Sequence, residues 1–204
     1  MKYLILSIIC MLSLQNVHAQ ALKVGKGRIS LINLAGQITS KTSIAQDKFI
    51  KVYQISSHED FKIKNALAVQ GLVNQGETSF FVHTDRGIKS FEVSLDENSS
   101  ESIDLNPQRP ITNLGLKELK TNSSLMVQSP FYINEFVLAS NPELLDLDPF
   151  FDYYDPKYLK AFILKTKDHE AITDLVVPSA QKIFKFSLKI SPDQGGQSDV
   201  LNLI

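Results

Sequence analysis

The sequence has few of the residues that build covalent or metal-based sites. Its 204 residues include no tryptophan and a single cysteine, Cys10. Cys10 lies in an N-terminal stretch that we expect to be removed, so the mature chain can form no disulfide, no thiolate metal site and no cysteine nucleophile. Charge of one sign is also lacking, with 21 lysine and arginine residues against 22 aspartate and glutamate residues. This balance argues against a protein whose main task is coating nucleic acid.

Residues 1–19 have the features of a secretory signal peptide. Lys2 supplies the positive end, an apolar run continues to Leu14, and residues 17–19 form a small-residue cleavage pattern. The run is too short for a membrane-spanning helix, which needs about 20 apolar residues. We therefore expect an exported protein, periplasmic or associated with the outer membrane, whose mature chain starts at Gln20 and has no integral membrane segment.

Long helical patterns are also missing, and short runs rich in β-branched and aromatic residues dominate instead. In one of them Phe91, Val93 and Leu95 alternate with polar neighbours, the pattern of a strand with one wet face. Residues 113–119 could form one or two helical turns. We predict a mainly β fold with strands at residues 29–34, 49–55, 61–69, 79–84, 88–95, 125–127, 132–138, 158–164, 175–178 and 182–190.

A polar, proline-containing segment predicts that the chain has two domains. Residues 97–123 are poor in bulky apolar side chains and typical of a linker. The flanking residues 27–96 and 124–191 are predicted to form two small β-sandwich-like domains in tandem, and residues 192–204 a C-terminal tail.

The two halves align with each other at an offset of 95 positions, without a gap from Leu31 to Asp96. Identical residues are few, but the apolar pattern holds over the whole window, as a repeated supersecondary unit requires. The offset predicts an internal duplication, and the alternative is that two unrelated β runs fall into register by chance. The matched apolar positions of the last strand are Ile88, Phe91, Val93 and Leu95 with Ile183, Phe186, Leu188 and Ile190.

Glycine and threonine positions in the first half carry a family resemblance. Gly71 and Gly76 are placed where we expect a hairpin turn, Thr78 opens the next strand, and Gly87 follows in a second turn. Over residues 27–96 this order resembles the pilus-assembly N-terminal domain at the front of secretin channel proteins, which serve Tad/Flp-type pili and type II and type III secretion systems.

The second half departs from that pattern. Thr166, Ala171 and Lys182 stand where the first half has its three turn glycines, so this half would be a degenerate copy. Proteins of the family continue into a pore-forming secretin domain, whereas this sequence stops at Ile204. The resemblance therefore implies a non-enzymatic assembly subunit that lacks the pore-forming domain and binds protein partners in an envelope-spanning complex.

Few side chains are arranged for catalysis or metal binding. Residues 58–60 and 168–170 each place a histidine beside two carboxylates, but neither supplies the second histidine of a zinc-protease helix. The aspartates of residues 146–155 lack the central glycine and terminal glutamate of an EF-hand loop. Without a nucleophile turn or a phosphate-binding loop, we expect no enzyme activity, no metal, no cofactor and no nucleic-acid partner.

Aromatic residues crowd into one short stretch of the second half. They either form part of its core, with tyrosine hydroxyls at the surface, or a protein-contact or sugar-stacking patch. The second interpretation gives an alternative function, an exported glycan- or peptidoglycan-binding module. The residues concerned are Phe150, Phe151, Tyr153, Tyr154, Tyr158 and Phe162.

The C-terminal tail ends in four apolar side chains, Val200, Leu201, Leu203 and Ile204. A solvated tail gains nothing from such an end, so we expect residues 200–204 to dock. The segment could pack on its own second domain, which it reaches at high effective concentration, or on the sheet edge of a partner.

Overall fold

The computed structural model describes residues 19–40, 42–56, 64–133, 137–151, 159–179, 181–192 and 196–204, with only the backbone described at positions 56, 150, 151, 159 and 160. These residues form sixteen strands and one short 3-10 helix, Pro142–Leu144. The predicted mainly β fold of two tandem sandwiches is confirmed.

The first sandwich contains eight strands in two sheets. In chain order they are β1 (Gln20–Val24), β2 (Ile29–Asn33), β3 (Ser43–Ile44), β4 (Ile50–Ser56), β5 (Lys64–Gly71), β6 (Gly76–Thr84), β7 (Gly87–Leu95) and β8 (Ser102–Asp104). Sheet 1a has the order β1-β7-β6-β3, and sheet 1b has the order β4-β5-β2-β8. Strand β1 runs parallel to β7 and β8 parallel to β2, while the other pairs are antiparallel.

The second sandwich repeats this arrangement. Its strands are β9 (Ile111–Lys120), β10 (Ser124–Ile133), β11 (Leu138–Ala139), β12 (Leu145–Phe151), β13 (Leu159–Thr166), β14 (Ala171–Pro178), β15 (Ile183–Ser191) and β16 (Ser198–Asn202). Sheet 2a has the order β11-β14-β15-β9, and sheet 2b has the order β12-β13-β10-β16. The parallel pairs are again those of the first and last strands, β9 with β15 and β16 with β10.

The offset of 95 positions that aligns the sequences also aligns the strands. Strand β4 begins at Ile50 and β12 at Leu145, and β5 begins at Lys64 and β13 at Leu159. Strand order and direction agree in all eight corresponding pairs. Such agreement is expected of a duplicated unit and not of two unrelated sets of strands.

Alternation along the strands builds one core inside each sandwich. In β6, Phe80 and Val82 point inward between exposed neighbours, and the Phe80 ring stacks on that of Phe91 with centroids 5.0 Å apart. Leu125, Phe162 and Phe186 occupy the corresponding core of the second sandwich. Burial of these side chains between two sheets supplies the main driving force for folding.

The predicted linker over residues 97–123 is wrong. This segment contributes β8 to the first sandwich and β9 to the second. The helical turns considered for residues 113–119 are wrong too, because these residues belong to β9. Gly115 there has φ of 74° and lies at a register shift opposite Lys185 and Ser187, so the period-two pattern of a strand is interrupted.

The C-terminal tail is the last strand of the second sandwich. Strand β16 pairs in parallel with β10, and Leu201 and Leu203 are buried in the core of that sandwich. The alternative that these two side chains contact a partner is therefore wrong, because they face inward. Val200 and Ile204 point the other way and are exposed.

Candidate functional site

The most elaborate arrangement of side chains lies at the junction between the two sandwiches. Here the outer face of sheet 1b packs against the outer face of sheet 2a in a third apolar cluster, separate from the two cores. Strands β2 and β5 are consequently buried on both faces. The fully packed members are Ile29, Leu31, Ile55, Ala66 and Ala68 from the first sandwich and Val176 and Ile183 from the second.

A buried carboxylate at the centre of this junction binds groups from both sandwiches. The side chain of Asp174, in β14, is 0% exposed. One of its oxygens accepts hydrogen bonds from Arg28 Nε at 3.0 Å and from the Ile29 amide at 2.8 Å, and the other accepts from Ser187 Oγ at 2.7 Å. Arg28 also donates from Nη2 to Ser187 Oγ. A buried charge with this many partners is compensated in place.

Lys185 extends the network to the loop before β8. Its ammonium donates to the carbonyl and the hydroxyl oxygens of Ser100. Desolvation is the main cause that lowers the pKa of Lys185 to about 8. The positive charge of Arg28 also lowers this pKa, whereas the negative charge of Asp174 raises it. The lysine therefore releases its proton at a lower pH than an exposed lysine does.

A lysine of lowered pKa beside a serine hydroxyl is also the pairing that Ser-Lys hydrolases use. In this junction the Ser100 hydroxyl donates to the Ile29 carbonyl at 2.7 Å, so its one proton is directed away from the lysine. Two surface cavities formed by described residues are lined by neither Ser100 nor Lys185. The hydrogen bonds of Ser100 and Lys185 therefore join the first sandwich to the second.

Arg109 forms a second polar bridge across the junction. Its Nε and Nη2 donate to the Ser179 carbonyl at 3.0 and 2.8 Å, and its Nη1 donates to Asn65 Oδ1 at 3.2 Å. Burial lowers the pKa of this guanidinium to about 10. At the other edge Gln70 donates to the Ser140 carbonyl at 2.6 Å. These bonds fix the relative orientation of the sandwiches at several separate points.

Gly71 and Gly76, the first two predicted turn residues, lie at a crossover between the two sheets. The hairpin predicted there is therefore wrong. Strand β5 belongs to sheet 1b and β6 to sheet 1a, so the chain between Gly71 and Gly76 passes from one sheet to the other. Gly71 is required by a close approach, because a Cβ there would collide with the backbone carbonyl of Gly25. Thr78 points into the core, and its hydroxyl has no hydrogen-bond partner among the described residues.

Gly87 closes a hairpin whose two turn residues are Asp85 and Arg86. The turn joins β6 to β7, with Thr84 paired to Gly87 across it. Gly87 has φ of 105°, a conformation that side-chain-bearing residues rarely adopt. The glycine is therefore needed for the reversal.

None of the acidic or histidine groups singled out in the sequence forms a metal site in the part of the chain that is described. Asp148 forms an exposed ion pair with Lys165 across strands β12 and β13, and Asp146 forms one with Lys167, which follows β13. Residues 168–170 lie in an exposed loop, and residues 58–60 lie outside the described residues.

The aromatic cluster remains a prediction. Phe162 is buried in the core of the second sandwich, as one of the two interpretations expects. Tyr153, Tyr154 and Tyr158, with the side chains of Phe150 and Phe151, lie outside the described part of the structure.

Sequence inspection missed the junction residues, although one signal pointed to them. Asp174 is the single charge in the strand AITDLVVP, and Lys185 stands between two phenylalanines in the strand IFKFSLKIS. Such a charge on a buried strand needs a partner, because an unpaired buried charge is strongly unfavourable. Arg28, which supplies that partner, has no comparable signal in its own neighbourhood.

No helix in the described residues is long and apolar enough to cross a membrane.

Comparisons with known proteins find weak structural similarity. No protein-family model and no curated protein matches the sequence. An endo-fucoidan hydrolase of glycoside hydrolase family 107 is 13% identical with a TM-score of 0.26, over 91% of this chain and 28% of that one. Domains 4–9 of the surface-layer protein SbsC are 7% identical with a TM-score of 0.31, over 86% and 30%. The Escherichia coli adhesin FdeC is 8% identical with a TM-score of 0.28, over 83% and 65%.

This chain therefore spans less than a third of the length of the first two structures. At these TM-scores the similarities carry no argument about its activity, substrates or partners.

Proposed function

We propose that this chain is a non-enzymatic structural subunit of a protein assembly outside the cytoplasm. The observation that carries the proposal is the junction, in which an apolar layer and the buried Arg28–Asp174 pair join the two sandwiches. An interface of this kind restricts the relative motion of two domains, which is otherwise the default expectation for tandem domains. A rigid pair of sandwiches suits a part that sets the distance and orientation between its neighbours.

The use of the polar side chains supports a structural role. Asp174, Lys185 and Arg109 are the buried charged side chains most deeply placed at the junction, and each is engaged by groups of the opposite sandwich. Buried ionisable groups in enzymes usually face a cleft that admits substrate. Here they face another domain of the same chain.

The specific assembly we propose is a pilus or secretion apparatus associated with a secretin channel. This proposal rests on the resemblance of residues 27–96 to the pilus-assembly N-terminal domain and on the signal-peptide features of residues 1–19. It places the chain in the periplasm or at the outer membrane, with protein partners in the envelope.

In situ crosslinking in a bacterium that produces the chain tests this proposal. The tagged chain is crosslinked in living cells, purified from separated cytoplasmic, periplasmic and outer-membrane fractions, and analysed by mass spectrometry. We expect it in the envelope fractions, linked to subunits of a secretin channel or pilus. An unrelated exported protein with the same leader and tag is the control.

Retention of the chain in the cytoplasm, or crosslinking that is no more specific than that of the control, would contradict the proposal. Binding to insoluble peptidoglycan that is lost when Tyr153 and Tyr154 are both changed to alanine would instead support the glycan-binding alternative.

A further inference from the structure

The repeat gives each sandwich a copy of both faces that form the junction. Inside the chain, sheet 1b of the first sandwich packs on sheet 2a of the second. By the strand correspondence, sheet 1a is the equivalent of sheet 2a, and sheet 2b is the equivalent of sheet 1b. The junction therefore uses one face from each sandwich, and the chain carries a second pair of equivalent faces at its two ends.

The first of these end faces, on sheet 1a, carries two large exposed apolar residues. Phe81 is 44% exposed and Ile88 is 50% exposed, and the register, with Phe81 opposite Ser90 and His83 opposite Ile88, makes them diagonal neighbours on the paired strands β6 and β7. Their equivalents 95 positions later are Val176 and Ile183, which are completely buried in the junction. Phe81 and Ile88 thus occupy the positions that make the apolar contact in the second sandwich.

The second end face, on sheet 2b, has large apolar residues at two of the matching positions and is polar at another, where Ser124 stands in place of Ile29. Met126 and Ile163 are the equivalents of Leu31 and Ala68, which are buried in the junction. The strand register places Ile163, Met126 and Val200 in one row across β13, β10 and β16. Met126 and Ile163 are partly exposed, and Val200 is 53% exposed. Exposed apolar rows of this kind on a sheet face mark sites of protein association.

We propose that this chain binds a second copy of itself head to tail, with sheet 2b of one copy packed on sheet 1a of the next. The inference rests on the proposed function as an assembly subunit and names its partner. The repeat argues for a second copy as the occupant, because the same two kinds of face already pack on each other within the chain. Since the two faces differ, each addition leaves one face of each kind open, and the contact generates a filament or a closed ring.

The contact between copies lacks the buried ion pair of the junction. Ser79 stands at the position equivalent to Asp174, and Ser123 at the position equivalent to Arg28. Apolar contact must therefore provide the attraction, without a charge pair to fix the geometry. We expect association that is reversible and dependent on concentration, weaker than the permanent contact inside the chain.

Two glutamate substitutions, one on each face, test this proposal with the purified full chain. Phe81→Glu blocks the face on sheet 1a, and Met126→Glu blocks the face on sheet 2b. Each variant alone keeps only one kind of face and is expected to stay monomeric in sedimentation equilibrium, while the wild type shows a weight-average mass that rises with concentration to more than twice that of the monomer. An equimolar mixture of the two variants retains one intact contact and is expected to stop at the heterodimer.

The control is Leu72→Glu, which changes an exposed apolar residue outside both faces and should associate like the wild type. Circular dichroism and melting temperature identify any variant that fails to fold, and in that case Phe81→Ser and Met126→Ser replace it. A wild type that stays monomeric up to about 1 mM overturns the inference. So does a mixture that forms no heterodimer, or a Leu72→Glu variant that is as defective as the others.

The outcomes also separate this inference from the proposed function. A monomeric wild type that still crosslinks to channel subunits in cells overturns self-association and leaves the assembly role standing. A chain that polymerises alone but is retained in the cytoplasm overturns the assembly role and supports self-association.

Discussion

Arg28 Nε lies 3.0 Å from a carboxylate oxygen of Asp174, 146 positions further along the chain. The pair joins two sandwiches that each have a core of their own. The same carboxylate oxygen also accepts the backbone amide of Ile29, so side chain and main chain of the first sandwich converge on one group of the second. At this point of the junction the contact therefore depends on the negative charge of one buried residue.

Replacing Asp174 with a neutral residue should strongly lower the free energy of unfolding. Asp174→Asn leaves the Arg28 guanidinium beside a neutral amide, and breaking a buried ion pair in this way costs about 3–5 kcal/mol. Urea unfolding should show this loss in the free energy of unfolding. Asp148→Asn removes a carboxylate that forms an exposed ion pair and should cause no measurable change. Equal effects of the two substitutions would show that the junction charge has no special role.

The lowered pKa of Lys185 predicts a dependence of stability on alkaline pH. The folded state releases the proton near pH 8 and the unfolded chain near pH 10.5, so between these values the unfolded chain binds more protons. Stability therefore rises with pH across this window, with a contribution of up to about 3 kcal/mol from this residue. Below pH 8 both states are protonated, and the contribution of Lys185 to the slope disappears.

Lys185→Met should remove this dependence. The measurement is the difference in unfolding free energy between the wild type and the variant at several pH values from 7 to 10, because the other titrating groups contribute equally to both. A difference that stays constant over this range would mean that Lys185 has the same pKa in the folded and unfolded states.

The last strand offers a matched pair of truncations. Leu203 is buried in the second core, and Leu203→Ala should lower the free energy of unfolding by about 2–5 kcal/mol. Its neighbour Ile204 is exposed, so Ile204→Ala should change that value by less than about 0.5 kcal/mol. Thermal or urea unfolding distinguishes the two. A Leu203→Ala variant with an unchanged free energy of unfolding would mean that β16 is not part of the folded sandwich in solution.

Gly71 should not tolerate even a methyl group. An added Cβ would collide with the Gly25 carbonyl, and overpacking at such a site costs about 1–3 kcal/mol. The melting temperature of Gly71→Ala should therefore fall, while that of Leu72→Ala, at the exposed next position, should stay close to the wild type. A Gly71→Ala protein with an unchanged melting temperature would rule out this close contact between the two chain segments.

Local sequence patterns were enough to predict the sheets but not the junction. Alternation in β6 and β7 and the glycine of their hairpin are encoded within a few residues, so the strands could be placed. The offset of 95 positions also showed that the halves correspond. The strands in residues 97–123 were missed because β8 is only three residues long and Gly115 interrupts the alternation of β9.

The junction could not be derived because its pairs are far apart in the chain. Strand β5 contains the run ALAV, which is buried on both faces because one face lines the core and the other the junction. A continuous apolar run of this kind indicates a strand with both faces covered but does not say what covers it. Only the fold shows that Val176 and Ile183 do so.

The order of the strands along the chain has a consequence for how the protein is made. The first sandwich receives its last strand at Asp104, so it can fold while the second is still being synthesised. Its apolar outer face, with Leu31 and Ala68, then has no cover until the segment through Ile183 has emerged and folded. During that interval the apolar sheet face of the nascent chain is exposed to solvent and prone to aggregation. A chaperone that covers this face should increase the yield of native protein.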